Sequence, residues 1–348
     1  VARAAAGGVD EQSRFVGESS MKKAVFIREF CWLLLISTAF AGTLASVPEI
    51  LAAQQQPAAK IPSTPVNTGP KTFGTPQQAA EALIQAASKF DQSSLEQIFG
   101  PSGEDIVLTG EYPQDRQRAL DFAAEAREHL SVAVDPNKGN RAFVVVGKEN
   151  WPFPVPLVKS KGRWHFDAAA GRQELLYRRI GSNELDAIDI CHGYVEAQYD
   201  YAYQARTGYN VNQYAQRIIS SPGKHDGLAW QNPDGSWGGP IGEKIARAIE
   251  QGYSPDLQPY HGYLFKVLKG QGPDAPLGKM DYVIDGFMIG GFALMASPAE
   301  YGKTGMKSFI VSQDGVVYQK DLGPATLDEF RKTDRFNPDD SWTPGSTE

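Results

Sequence analysis

Cysteine is almost missing from this chain: there are two in 348 residues, and one of them, Cys31, lies in an apolar run near the start. A lone Cys191 cannot close an internal disulfide, so stability has to come from core packing even in an oxidising compartment. One remaining cysteine and five scattered histidines cannot assemble a CxxC-type zinc centre. Positive charge is also in deficit, with 34 Lys+Arg against 41 Asp+Glu and a net charge of -7, which argues against a nucleic-acid partner because phosphate binding needs a basic surface. The apolar run over residues 30–41 is about a dozen residues, short of the roughly 18 to 20 that cross a bilayer as a helix. Catalytic signatures are lacking too. Gly181-Ser182 and Ser220-Ser221-Pro222-Gly223 do not sit in the strand-to-helix context that a nucleophile elbow or a phosphate loop requires, and no S-x-x-K motif stands out.

The short apolar run has the order of an export leader. Met21-Lys22-Lys23 opens a basic stretch ending at Arg28, the apolar residues follow, and Ala39-Phe40-Ala41 offers an A-x-A cleavage site, with Leu51-Ala52-Ala53 a weaker second. Residues 1–53 are thus expected to be an upstream extension plus signal peptide, with Met21 the true start and no stable transmembrane segment left after cleavage. The product is expected in the periplasm or the medium. Residues 54–74 are rich in Pro, Ala, Gln and Ser without apolar periodicity and read as a flexible linker. The rest, with 22% charged and 41% hydrophobic residues in the chain as a whole, has a globular composition and is long enough for two domains of about 100 to 200 residues. They are expected at 75–208 and 209–342.

Thr75-Pro76 supplies an N-cap followed by proline at the first helical position, and Ala79, Ala80, Leu83, Ile84 and Ala87 recur on one face. A first helix to about Phe90 is followed by a second over 94–99, stopped by Gly100-Pro101, and a third over 114–130. Strands are expected at 132–134, 142–146, 155–158 and 163–166, separated by turn-forming clusters as in an antiparallel sheet. Residues 171–206 contain few breakers and read as one long helix closing on Gly208, its second half crowded with Tyr194, Tyr199, Tyr201 and Tyr203. Rings so placed either pack onto a sheet with hydroxyls at the rim or form a stacking surface. Beyond Tyr209 the chain is loop-rich, with a helix over 241–251 and strands at 263–268, 282–284, 292–296, 308–311 and 316–319. Gln313-Asp314-Gly315 is a tight hairpin connection between the last two. The class is α+β: N-terminal helices with an antiparallel sheet, a long central helix, and a second antiparallel sheet.

The later strands carry a distinctive set of motifs: His261-Gly262-Tyr263, Gln271-Gly272-Pro273-Asp274-Ala275-Pro276, Asp281-Tyr282-Val283, Gly290-Gly291-Phe292-Ala293-Leu294, Pro298-Ala299-Glu300-Tyr301-Gly302, Thr304-Gly305-Met306, Asp314-Gly315-Val316-Val317-Tyr318 and Lys320-Asp321-Leu322-Gly323-Pro324. In these the chain closely resembles the bacterial domain of unknown function 2950 family, from about Phe73 to Trp342. The resemblance implies an exported bacterial protein and no particular activity. The final strands are more loosely similar to the C-terminal sheets of type IV pilin-like proteins, but this chain lacks the long N-terminal pilin helix.

Three constellations are candidates for function. Asp189-Ile190-Cys191-His192 puts a thiol beside an imidazole, yet successive helical residues do not face each other, and a buried inert cysteine is the ordinary reading. His192, Glu196 and Asp200 are spaced i, i+4, i+8 on one helical face, where they could hold a divalent ion or act as acid and base, or simply form a solvated polar face. His225, Asp226, Trp230, Asp234 and Trp237 lie on glycine-rich turns and, with His261 and Tyr263, suit a small-molecule or glycan surface or, alternatively, a tryptophan-plugged loop junction. Residues 286–291, a glycine-flanked Phe-Met-Ile segment, read either as an exposed interaction loop or as a hairpin connection packed under the sheet. The expectation is a non-catalytic module that binds an envelope protein, peptide or glycan, without a cofactor and with no confident metal site. The alternatives are a metal-dependent or hydrolytic enzyme using the His192 face, and a structural subunit related to pilin-like assemblies.

Overall fold

The computed structural model describes residues 69–109, 112–203, 211–241 and 259–345. The expected leader, most of the expected linker, the Gly208 helix stop and the helix expected at 241–251 lie outside the described residues, Ile241 excepted. Contacts divide the chain into two compact units, Val1–Leu175 and Leu176–Glu348. No helix among the described residues is long and apolar enough to cross a membrane.

In the first unit, Thr75 caps helix α1 (Pro76–Lys89), its hydroxyl accepting from the Gln78 N–H at 3.2 Å. The helix closes in a Schellman arrangement: Phe90 N–H reaches Ala87 O and Asp91 N–H reaches Ala86 O, at 3.0 and 2.9 Å. Phe90 occupies the left-handed position, φ 49°, where glycine is usual. Its ring is buried and meets Tyr112 edge-on at 5.2 Å, packing that offsets a backbone cost of about 1 kcal/mol. Asp91 caps α2 (Gln92–Phe99), which stops at Gly100 before a short helix α3 (Glu104–Val107). Helix α4 (Tyr112–Glu128) ends two residues before the expected end, because Leu130 opens β1 (Leu130–Val134) opposite Val146 of β2 (Arg141–Val146). With β3 (Trp151–Pro152), β4 (Leu157–Ser160) and β5 (Arg163–Phe166) these form an antiparallel sheet in the order β1-β2-β4-β5, β3 pairing with β2. The expected strand at 155–158 starts later, at Leu157, since Pro154 and Pro156 have no N–H to give the ladder. Phe99, Phe122, Phe153 and Phe166 meet at ring-centroid distances of 5.0 to 6.2 Å and form the centre of this core.

Asp167 caps the long helix α5 (Ala168–Tyr203), accepting from Ala170 N–H at 3.1 Å. At 36 residues it extends about 54 Å, and from Leu176 onward it is counted with the second unit. That unit contains the small hairpins β6 (Trp230–Gln231) with β7 (Trp237–Gly238), β9 (Gly270–Gln271) with β10 (Met280–Asp281), and β11 (Val283–Ile284) with β12 (Phe287–Met288). Its main sheet is antiparallel in the order β16-β15-β14-β13-β8: β8 (Tyr263–Leu268), β13 (Ala293–Pro298), β14 (Lys307–Ser312), β15 (Val317–Asp321) and β16 (Thr343–Pro344). All six residues of β13 are buried, so it reads as an unbroken small-and-apolar run rather than an alternation. Helix α6 (Thr326–Lys332) buries Phe330 in the same core. The α+β class expected from the sequence holds, long helix and second antiparallel sheet included.

Helix α5 joins the second unit's core through Ala187, Ile188, Ile190, Tyr194, Val195 and Ala197, and several of its polar side chains also serve other segments' main chain. Glu184 Oε1 accepts from the N–H groups of Met306 and Lys307 at 2.9 and 3.1 Å, and Asn183 donates to Thr304 O at 2.8 Å. Gln198 is fully buried and pairs both ways with Ala215: its amide donates to Ala215 O and its oxygen accepts Ala215 N–H, each at 2.8 Å. Tyr194, Tyr199, Tyr214 and Phe292 pack edge-to-face around it, at 4.7 to 6.2 Å. In the loop after β13, a Cβ on Gly305 would lie 2.2 Å from the Tyr263 hydroxyl, so only glycine fits there.

Gln198→Leu keeps the volume and removes both bonds to Ala215. Leaving a buried donor and acceptor unpaired should lower unfolding free energy by about 2–4 kcal/mol, read from urea melts. A loss below about 0.5 kcal/mol, the range of an inconsequential surface change, would show that the pair has no structural weight.

Candidate functional site

The tryptophan-bearing loops consume most of their own polar groups. Asp226 accepts from Ser221 N–H at 2.7 Å and Ser221 Oγ at 2.9 Å, and Asp234 accepts from Ser236 N–H at 2.9 Å and Oγ at 2.6 Å. Both carboxylates are thereby built into turns. Burial pushes the Asp226 carboxyl up, but the two Ser221 bonds and nearby Arg217 outweigh it and hold it below the usual carboxylate range. The Ser236 hydroxyl and N–H do the same for Asp234. Trp237 packs half-buried against the second unit's core. Trp230 carries the exposed His225 ring stacked on it, centroids 4.2 Å apart and 18° from parallel, and Tyr201 donates to the His225 carbonyl at 3.1 Å.

His261 is placed differently. Tyr260 and Tyr263 exchange N–H···O bonds of 2.9 Å around His261 (φ 45°) and Gly262 (φ 74°), a type I′ turn. The turn stacks the His261 ring on Tyr260, centroids 4.0 Å apart, and brings its Nδ1 into a short contact with Asp186 of α5. Tyr263 is buried, donates to Lys307 O at 2.7 Å, and has its hydroxyl pushed well above the usual tyrosine range by burial and then by the Glu184 charge. It cannot serve as an acid or base near neutrality. The seven expected residues thus fall into a Trp230 hairpin group and a separate turn whose partner, Asp186, was not anticipated.

On α5, His192 is half-buried while Glu196 and Asp200 are exposed. Among the described residues no three His, Cys, Asp or Glu side chains are grouped so as to hold a metal ion. Cys191 is fully buried and its thiol is pushed up to about 12 by burial alone, so it carries no thiolate at neutral pH. Residues 286–291 carry the second half of a hairpin: Asp285-Gly286, φ 50° and 85°, turns β11 into β12, Met288 is fully buried in the core and Ile289 is exposed.

The first unit holds a concave site that no sequence motif announced. A partly enclosed cleft of about 80 Å³ is walled by Leu83, Ala87 and Phe90 of the α1 end, Leu95 of α2, Ile106 and Val107 of α3, Ala119 and Phe122 of α4, and Phe153. One wall is charged. Asp115, 4% exposed, accepts from Thr109 N–H at 2.9 Å, Thr109 Oγ1 at 2.7 Å and Arg118 Nη1 at 3.0 Å, while Arg118 Nη2 donates to Gln114 at 3.1 Å. A buried carboxylate so completely hydrogen-bonded fixes the α3–α4 connection to the helix that forms the wall. The signal was present in the sequence: Asp115, Arg118, Ala119 and Phe122 fall on one face, a charged pair on the stripe that otherwise packs inward.

The family described as "Protein of unknown function (DUF2950)" matches this chain over residues 70–344, and the chain belongs to it. No curated protein and no solved structure matches it.

The Asp226 latch has a definite pH dependence. A carboxyl held below its unfolded value, about 3.9, contributes stability above that value and loses it as pH falls through the lower, folded one. Asp226→Asn should therefore lower the melting temperature at pH 7 by about 1–2 °C, a partly exposed pair being worth well under 1 kcal/mol. The gap between variant and parent should close below about pH 3. A gap that stays constant from pH 7 to pH 3 would mean that the carboxylate's charge does not contribute.

Proposed function

We propose that this DUF2950 protein is an exported, non-catalytic binding module of the cell envelope, and that the cleft of its first unit seats one branched aliphatic group of a peptide or small ligand. The observation that carries the reading is the cleft itself: apolar, concave, and braced on one wall by the buried Asp115 carboxylate paired with the partly exposed Arg118. The titratable groups of the second unit's loops, in contrast, serve turns and main-chain bonds. Export rests on the basic-then-apolar leader at Met21 and its A-x-A site.

Size sets the ligand class. A cavity that takes up benzene measures about 150 Å³; this one, at about 80 Å³, suits a group the size of an isobutyl or isopropyl side chain. Burying such a group contributes about 1.5–3 kcal/mol, less than the 4.1 kcal/mol of a 1 mM complex. The isolated group therefore binds weakly, and a physiological partner must add contacts outside the cleft, as a peptide does.

A second reading is favoured by one observation, the His261–Asp186 pair, since a carboxylate on Nδ1 orients an imidazole for acid–base work. It would transfer the enzyme alternative from the His192 face to the β8 turn.

N-acetyl-leucinamide at tens of millimolar should raise the melting temperature of the parent protein by mass action. Ala119→Leu, which fills the cleft from within, should abolish that shift without lowering stability by more than about 1 kcal/mol. Equal shifts in parent and variant, or none in either, would sink the cleft as a binding site. His261→Ala, which leaves the cleft untouched, should leave the leucinamide shift unchanged.

A further inference from the structure

The two edges of the first unit's sheet are treated differently. At β5 the edge is closed by the chain's own Phe73, which exchanges main-chain bonds of 2.7 and 2.9 Å with Trp164. At β1 no such cover exists among the described residues: the strand pairs with β2 alone. Its sequence, Leu-Ser-Val-Ala-Val, has no charge, no proline and no glycine, none of the devices that usually blunt an open edge. The second unit's sheet does use one at its β16 end, where the edge strand is two residues long and contains a proline.

The direction of the free main-chain groups follows from the bonds at the strand's two ends. Asp135 N–H donates to Arg141 O, and Gly147 N–H donates to His129 O, at 2.9 and 3.0 Å. Odd-numbered residues of β1 therefore turn their main chain toward β2, and Leu130, Val132 and Val134 direct theirs to the open edge. Their side chains share a sheet face with Val146, Val144 and Ala142, their buried partners on β2. Yet Leu130 and Val134 remain 38% and 48% exposed. The core face of the sheet is left unfinished at this strand.

We infer that the β1 edge is a homotypic interface: two copies of this chain pair their β1 strands antiparallel about a two-fold axis at Val132. That register sets Val132 against Val132 of the second copy and Leu130 against Val134. All the outward N–H and C=O groups of Leu130, Val132 and Val134 then become paired, and the exposed apolar row continues across the axis. The same register sets His129 of each copy opposite Asp135 of the other, in a non-hydrogen-bonded pair where side chains approach most closely. Asp135 uses Oδ1 to accept the Asn137 and Lys138 N–H groups, which holds the carboxylate at the strand's end. A free extended peptide would supply backbone partners, but a second copy also brings an imidazole opposite a carboxylate at both ends, with a matching apolar row. A five-residue strand pair buries less than the roughly 1,200 Å² of a standard stable interface, so the dimer is weak and fast.

Sedimentation velocity of the purified protein from 1 to 500 µM should show a reversible monomer–dimer equilibrium. Val132→Lys, which opposes two like charges at the axis, and Val132→Pro, which removes an outward N–H without touching the β2 ladder, should each weaken dimerisation at least tenfold with the far-UV spectrum unchanged. His129→Asp should weaken it several-fold and His129→Lys should not, which separates this register from nonspecific edge contact. A protein that stays monomeric through 500 µM, a dimer indifferent to both Val132 variants, or an edge that binds extended peptides but not itself would overturn the inference.

Discussion

A buried peptide group has to be hydrogen-bonded, and in the second unit the Gln198 side chain meets that demand for Ala215, which lies outside any strand. Gln198 presents to Ala215 the donor and acceptor that a neighbouring strand would have offered. Through it the chain around residues 211–219 is held to α5 rather than to the sheet, and the aromatic group of Tyr194, Tyr199, Tyr214 and Phe292 closes over the pair. The consequence spreads outward: Tyr214 N–H caps Met288 O, and Ala229 N–H returns to Ile218 O. The segment leading into the tryptophan hairpin is thus tied to this chain by main-chain bonds, and Ala215, Ile218, Leu228 and Ala229 are buried in the same core. Glu184 and Asn183 repeat the device one face further along, on the loop after β13. A long helix with few breakers is what allows one element to fix several irregular segments at once.

Much of the fold was legible because local rules sufficed. The Thr75-Pro76 start, the Gly100-Pro101 stop and the strand at residues 163–166 follow from capping and alternation. Where prolines interrupt, as at Pro154 and Pro156, the ladder begins only once N–H groups are available. Helix α6 and strand β16 escaped notice because a seven-residue helix and a two-residue strand are too short for any period to register. Two type I′ turns carried readable signals, Asp285-Gly286 and His261-Gly262, but the residues flanking each are not a clean alternation.

The candidate sites divide along the same line. Pairing of Asp186 with His261 joins residues 75 apart in sequence, and no spacing rule connects them. The cleft draws on five helices, the fifth through Leu175 of α5, and on the loop after β3, so it exists only once the first unit has folded. Conversely, residue types that looked chemical in the sequence proved to have structural duties: Asp226 and Asp234 hold turns, Tyr263 holds a strand carbonyl, and Cys191 is inert by burial.

The claim that the cleft is a real, accessible apolar site, and not a packing defect, is best tested by methyl NMR of the protein equilibrated with xenon, which enters apolar cavities without needing a polar partner. The account predicts that methyl signals of Leu83, Leu95, Ile106 and Val107, all lining the cleft, shift with xenon pressure while those of Leu294 and Ile310 in the second core stay in place. Shifts spread evenly over both cores, or absent from the four lining residues, would contradict it.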